Sequence, residues 1–345
     1  MNTSLYSFFL LTLFSSTMIT LSSNHWLLAW IGLELNTLAM IPLIASPHHP
    51  RATEATTKYF MVQTTASAVI LLAGAITAWQ TGQWGLSQPG SATKTLLISA
   101  LLLKLGIAPA HFWYPEILQG TTMTTALIIS TWQKMAPLAL LYMTLDTLPT
   151  NLLLMLGLTS IIVGSWVGLN QTQLRKLMAY SSIGHMGWLL MALAMNPKLA
   201  TLTFIIYLLM TTTMFIMLIN TMTKTTMDMG TIWPHSPTQA SLIMLTLLSL
   251  GGLPPLTGFS PKWLIIKDLT LNHLAPLATL TALMSLPALY FYVRLAYFTT
   301  LTTPPITQST TFLWRLKHTT NLMLTPITML TMFMTPLTAT LYLTT

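Results

Sequence analysis

Apolar runs of about 20 residues, divided by short polar or Pro/Gly-marked gaps, repeat from one end of this chain to the other. A helix rising about 1.5 Å per residue needs a run of that length to cross the hydrocarbon core of a bilayer. The pattern predicts an all-α, polytopic membrane protein with about eleven transmembrane helices, near residues 5–23, 26–45, 59–79, 95–118, 122–145, 151–169, 174–195, 200–221, 238–270, 275–298 and 321–343. The fourth and ninth stretches carry the same interruption. In Gly106-Ile-Ala-Pro109-Ala-His-Phe-Trp-Tyr-Pro115-Glu116 and Gly252-Leu-Pro-Pro255-Leu-Thr-Gly-Phe-Ser-Pro261-Lys262, a Gly-x-x-Pro-x-x-x-x-x-Pro frame ends on an acid or a base. Paired, broken apolar segments mark the transport path of repeat-built transporters, because a broken helix frees backbone groups near the midplane. The ninth stretch is long enough to be two half-helices.

Composition agrees with that class. Only 6% of residues are Asp, Glu, Lys or Arg and the mean hydropathy is +0.67, whereas a water-soluble globule is about a quarter charged. The formal charge of +8 therefore reads as membrane sidedness and not as nucleic-acid binding. With the N-terminus on the positive side, that side collects Arg51, Lys58, Arg175, Lys176, Lys224, Arg294, Arg315 and Lys317, and the opposite side keeps Lys94 and Lys198, eight against two. The absence of Cys excludes disulfides and thiolate-held iron–sulfur clusters on this chain. No Lys or Arg precedes Arg51, so neither a cationic signal region nor an Arg-rich transit peptide is expected, and the first helix should be retained.

Four bases fall inside spans: Lys104, Lys134, Lys262 and Lys267. Lys104 and Lys134 lie roughly 15 Å or more along their helices, too deep to reach a headgroup easily, and Glu34 lies near the middle of the second span. Each such charge costs about 2.5–3.5 kcal/mol on insertion, while a neighbouring leucine returns only about 0.3–0.6 kcal/mol. Charges this costly usually face a polar interior and mark an ion or proton route; structural pairing between helices is the alternative. Lys262 reads either as standing at a half-helix start beside freed backbone groups or as a lysine near the end of a bent helix. For Glu116, capping of a half-helix and transport both fit. Lys267 and Asp268 are expected near an interface. His111, in the first break, and His185, central in span seven, are the histidines at membrane depth, where imidazole suits proton relay. For His185 a core imidazole bonded to Ser181, one turn earlier, is the alternative. Two buried histidines are too few for a two-haem bundle. No nucleotide loop, metal-ligand cluster or nucleophile–base pair appears, so no cofactor or metal is expected on this chain.

The second half echoes the first. Trp132-Gln-Lys134-Met-Ala-Pro137-Leu-Ala-Leu-Leu-Tyr142 follows the first break by one span, and Ala282-Leu-Met-Ser-Leu-Pro287-Ala-Leu-Tyr290 follows the second. The register predicts a single membrane domain over 1–345, built of two inverted five-helix repeats, about 26–169 and 174–298, each with a discontinuous helix, and a C-terminal helix at 321–343.

Three runs carry a family resemblance: Asn170-Gln-Thr-Gln-Leu-Arg175-Lys-Leu-Met-Ala-Tyr-Ser-Ser-Ile-Gly-His185-Met-Gly187; Lys104-Leu-Gly-Ile-Ala-Pro109-Ala-His-Phe-Trp-Tyr-Pro115-Glu116; and Leu250-Gly-Gly-Leu-Pro-Pro-Leu-Thr-Gly-Phe-Ser-Pro-Lys262-Trp263. Over most of residues 25–298 the chain resembles the antiporter-like subunits of proton-pumping NADH:ubiquinone oxidoreductase, respiratory complex I. Trp30-Ile-Gly-Leu-Glu34-Leu-Asn36 and the Thr/Met/Leu-heavy, Cys-free composition agree with the mitochondrially encoded animal members. The resemblance implies that Glu34 is the family glutamate that pairs with a lysine, Lys104 that lysine in the first discontinuous helix, Lys134 the connecting lysine of the next helix and Lys262 the terminal lysine of the second. Protons would pass along this Lys/Glu/His axis, His111 and His185 included, driven by redox chemistry elsewhere.

It further implies that NADH, FMN, iron–sulfur clusters and ubiquinone belong to other subunits. The expected partners are other membrane-arm subunits, especially neighbouring antiporter-like subunit 4 and subunit 4L, together with accessory subunits and phospholipid. The expected location is the mitochondrial inner membrane, with the N-terminus in the matrix and the C-terminus in the intermembrane space. Full-length relatives have fourteen helices, of which this chain lacks the first three. The resemblance also admits a sodium/proton antiporter subunit, and buried charges that only pin helices together would make a scaffold.

Overall fold

The computed structural model describes residues 3–86, 90–145, 148–300 and 324–344, in two compact units, Met1–Leu156 and Gly157–Thr345. All the regular structure among these residues is helical, apart from two isolated β-bridges. In the first unit α1 (Thr3–Leu21) packs on α2 (Trp26–Ala45), α2 on α3 (Pro50–Thr81), and α3 on both α4 (Ser91–Leu105) and α5 (Trp113–Gly120). α6 (Met123–Ser130) and α7 (Met135–Met143) follow, and α8 (Thr150–Gly168) carries the chain into the second unit. There α9 (Leu174–Met195) packs on α10 (Pro197–Thr221), and a short α11 (Ile232–His235) leads into α12 (Pro237–Gly251). α13 (Phe259–Leu271), α14 (Ala275–Thr299), α15 (Leu324–Phe333) and α16 (Thr338–Thr344) complete it, with α12 against α14 and α13 against α9 and α10.

Seven of these helices are long and apolar enough to cross a membrane unaided. Their many hydroxyls do not need outside partners. Thr20 donates to Thr17 O at 2.8 Å, Thr77 to Gly74 O at 2.7 Å and Thr213 to Met210 O at 2.8 Å. Such back-bonding satisfies a polar side chain within its own helix, which makes Thr and Ser affordable in lipid. Two helix starts combine a side-chain cap with a proline: His49 Nδ1 accepts from Arg51 N at 3.2 Å with Pro50 in the first position of α3, and Asn196 Oδ1 accepts from Lys198 N at 3.1 Å before Pro197 of α10.

Each unit ties the start of one helix to the end of the next through a single backbone bridge. Trp26 N donates to Trp84 O at 3.0 Å at the His25–Gly85 bridge. Leu174 N donates to Lys224 O at 3.1 Å at the Gln173–Thr225 bridge. Asp228 pins the latter loop, its Oδ2 accepting from Thr225 N at 2.8 Å and Lys224 N at 3.0 Å. Partial burial opposes the carboxylate's charge, but these two donors outweigh it and hold the group below the ordinary carboxylate range.

Two spans expected to be continuous are interrupted. The fifth breaks at a 3₁₀ turn, Trp132–Lys134, between α6 and α7. Pro137 accounts for it, since its ring has no N–H and collides with the carbonyl four residues back, that of Gln133. The eleventh breaks at a 3₁₀ turn, Thr335–Leu337, which contains Pro336. Arg315 and Lys317, assigned to the positive side, lie outside the described residues.

Candidate functional site

The two discontinuous helices are terminated in the same way. α4 ends at Gly106 (φ +68°) and α12 at Gly252 (φ +85°), left-handed positions that favour glycine. The following amide closes each end: Ile107 N donates to Leu102 O at 3.1 Å and Leu253 N to Leu248 O at 3.4 Å. Residues 106–112 and 252–258 form the two linkers, and Pro115 and Pro261 stand third in the half-helices that follow. Gly258 is obligatory for steric reasons, because a Cβ there would overlap Ser249 O.

The lysines approach these breaks from opposite sides. Lys104 lies in the last turn of α4, where the carbonyl-rich helix end favours a cation. Lys262 belongs to the first turns of α13 but reaches back eleven residues, its Nζ donating to Gly251 O at 2.8 Å. The reading of Lys262 as a base beside freed backbone groups therefore describes its geometry. In the first break the indole of Trp113 takes the equivalent role, Nε1 donating to Leu103 O at 3.0 Å.

In the first unit Lys104 and Lys134 line one small cavity of about 20 Å³, room for about one water. Lys104 is 6% exposed and Lys134 3%, and Asn36, Tyr59, Gln63, Tyr114 and Gln133 line the same space. Lys134 Nζ stands 5.1 Å from the centroid of the Tyr114 ring, a cation–π distance. Glu34 makes no ion pair within 4.0 Å among the described residues, yet it interacts electrostatically with Lys104 and with Tyr59. Glu34 Oε2 and Lys104 Nζ are both buried without a hydrogen-bond partner among the described residues. His111 is buried in the linker, its Nδ1 3.2 Å from Pro109 O, and does not line this cavity. Glu116 is exposed and joins Lys58 at 2.7 Å, linking α5 to α3.

In the second unit Lys262 and His185 line two cavities of about 20 Å³ each, one walled by Ser181, Ser285 and Tyr292 and the other by Thr203, Tyr207 and Met210. His185 Nε2 lies 3.5 Å from the Tyr292 hydroxyl. Ser181, weighed as the imidazole's partner, donates to its own helix at Met178 O, 2.7 Å away. Reasoning from charge alone missed the neutral polar residues of both sites. Asn36, Gln63 and Gln133 are amides inside apolar spans, and the cost argument that singled out the lysines applies to them in weaker form.

The family described as NADH:quinone oxidoreductase/Mrp antiporter, TM matches residues 23–288, and NADH dehydrogenase subunit 2 C-terminus matches residues 289–342. The chain is 56% identical over 280 residues to the NADH-ubiquinone oxidoreductase chain 2 of Tetraodon nigroviridis, covering 81% of this chain and 80% of that protein. It is 51% identical over 287 residues to the protein of the same name from Gallus gallus, 83% of each being covered. Among solved structures, a chain of respiratory complex I from Thermus thermophilus matches with a TM-score of 0.82 at 25% identity, covering 97% of this chain and 77% of that one. A chain of the Mrp complex from Dietzia sp. DQ12-45-1b shares the fold, with a TM-score of 0.79 at 16% identity over 87% of this chain and 61% of that one.

Proposed function

The chain belongs to the NADH:quinone oxidoreductase/Mrp antiporter membrane family, among the NADH-ubiquinone oxidoreductase chain 2 proteins, and from that premise we propose how it takes part in proton translocation. It is a membrane subunit of the proton-translocating NADH:ubiquinone oxidoreductase, complex I. Its own contribution is to hold and pass protons on buried and half-buried side chains: Lys104 and Lys134 with Glu34 in the first unit, Lys262 and His185 in the second, and His111 in the first linker. NADH oxidation and ubiquinone reduction, with the FMN and iron–sulfur clusters they require, belong to other subunits. Subunits 4 and 4L are its proposed neighbours, with accessory subunits and phospholipid, in the mitochondrial inner membrane.

The shared cavity of Lys104 and Lys134 carries this reading. Two ammonium groups facing one nearly dry space repel strongly at low dielectric, so one added proton is held far more easily than two. A site that resists its second proton passes the first on when a neighbouring charge moves. Lys134→Met keeps the volume of the side chain and removes its proton. Proton translocation and coupled NADH oxidation should fall while the complex still assembles; an assembled Lys134→Met enzyme that pumps at the full rate would assign Lys134 to structure.

A further inference from the structure

We propose that Gln133 is a positioning residue for proton transfer: through Asn36 and Tyr59 it clamps the 3₁₀ turn that carries Lys134 against the cavity shared with Lys104. The proposal rests on the reading of Lys134 as a proton carrier. The turn needs an external restraint, because Pro137 removes the α-helical bond that would otherwise fix it and 3₁₀ bonds have poorer geometry. Gln133 supplies that restraint with both ends of its amide. Nε2 donates to Asn36 Oδ1 of α2 at 3.0 Å, and Oε1 accepts from the Tyr59 hydroxyl of α3 at 3.4 Å, the looser of the two bonds. Asn36 is 2% exposed and Tyr59 1%. The Gln133 side chain thus ties the turn before α7 to both α2 and α3.

An amide neither gains nor loses a proton at ordinary pH, so Gln133 orients and does not relay. Tyr59 adds a link to the acid of the site, since it interacts electrostatically with Glu34. Asn36 and Glu34 share α2, so one helix carries both the clamp's anchor and the charge coupled to Lys104. A shift of α2 would move the Lys134 turn and the Lys104 environment together.

The test measures proton pumping per assembled complex in inner-membrane vesicles, normalised to NADH oxidation by a water-soluble artificial acceptor, which does not depend on this chain's proton path. Gln133→Met and Asn36→Leu should each lower pumping about 3- to 10-fold, the range expected for losing one hydrogen bond, with artificial-acceptor activity unchanged. The double variant should pump no worse than the poorer single one, because both changes break the same bond. Exchanging the two amides, Asn36→Gln with Gln133→Asn, keeps the total reach and should restore much of the rate, a rescue that a merely structural polar pair does not require of pumping at constant assembly. Wild-type pumping by assembled Gln133→Met, or strictly additive losses, overturns the proposal. Should Gln133→Met fail to assemble, Tyr59→Phe deletes a single hydroxyl and should still reduce pumping about 2- to 3-fold; an unchanged rate there overturns the clamp. Lys134→Met is measured alongside: full pumping by it defeats the proton-carrier reading and the clamp with it, while a dead Lys134→Met beside a fully active Gln133→Met defeats the clamp alone.

Discussion

Glu34 and Lys104 interact across a gap and not by contact. The carboxylate and the ammonium each have a buried polar atom without a hydrogen-bond partner among the described residues, and no ion pair within 4.0 Å joins them, yet the Glu34 carboxylate acts electrostatically on Lys104. A buried charge that loses its compensating partner is costly, whereas removing both charges leaves neither uncompensated. If the pair governs the proton on Lys104, Glu34→Gln should impair pumping even though the lysine remains. Lys104→Met should impair it at least as much, and the double variant should cost clearly less than the sum of the two. The measurement is a double-mutant cycle on proton-pumping rate in assembled complex; strictly additive losses would show two independent residues and leave Glu34 as a structural charge. The resemblance brought this pair together, because nothing in the spacing of residues 34 and 104 encodes their proximity. Their individual importance was legible, since a charge in an apolar run stands out against its neighbours. The partners Asn36, Tyr59 and Gln133 were not, since an amide or a tyrosine costs too little in an apolar run to be conspicuous.

At the scale of helices, the Gly-x-x-Pro frame foretold both breaks, and glycine at positive φ with a closing amide explains why the same letters recur. The break between α6 and α7 escaped the same reading because a single proline inside an apolar run is compatible with a continuous, bent helix; only the position of Gln133, one α-helical bond before Pro137, locates the 3₁₀ turn. The back-reach of Lys262 to Gly251 was equally hidden, since it depends on a linker that turns α13 toward the end of α12. Gly252 joins these two features. An added Cβ there would adopt a left-handed conformation costing about 1–2 kcal/mol and would stand 2.9 Å from Lys262 Nζ. Gly252→Ala should therefore lower the thermal stability of the complex and displace the ammonium from the Gly251 carbonyl, reducing pumping. In a Lys262→Met background the stability loss should persist while the further loss of pumping disappears. Equal pumping losses from Gly252→Ala with and without Lys262 would separate the glycine from the lysine and reduce it to a helix terminator.

Over the whole molecule, each unit holds its own discontinuous helix and a lysine lining small cavities beside the break, and each also has a charged end. In the first unit Arg51 and Lys58 sit at the start of α3, and the end of α5 lies beside them, where a Cβ on Gly120 would approach Arg51 O to 2.9 Å. In the second, Arg175 and Lys176 at the start of α9 meet Lys224 at the bridge beyond α10. Lys and Arg near span ends favour the side from which the membrane segments are inserted, so both charged ends should face the matrix. An odd number of crossings then sends the C-terminus to the intermembrane space. The chain contains no Cys, so single engineered thiols label without background. Thr3→Cys, Thr53→Cys and Thr172→Cys should stay protected from a membrane-impermeant maleimide in intact mitoplasts and react once the inner membrane is opened, while Thr345→Cys should react in both. Labelling of Thr3→Cys and Thr345→Cys from the same side would require an even number of crossings and would remove the eleven-span topology.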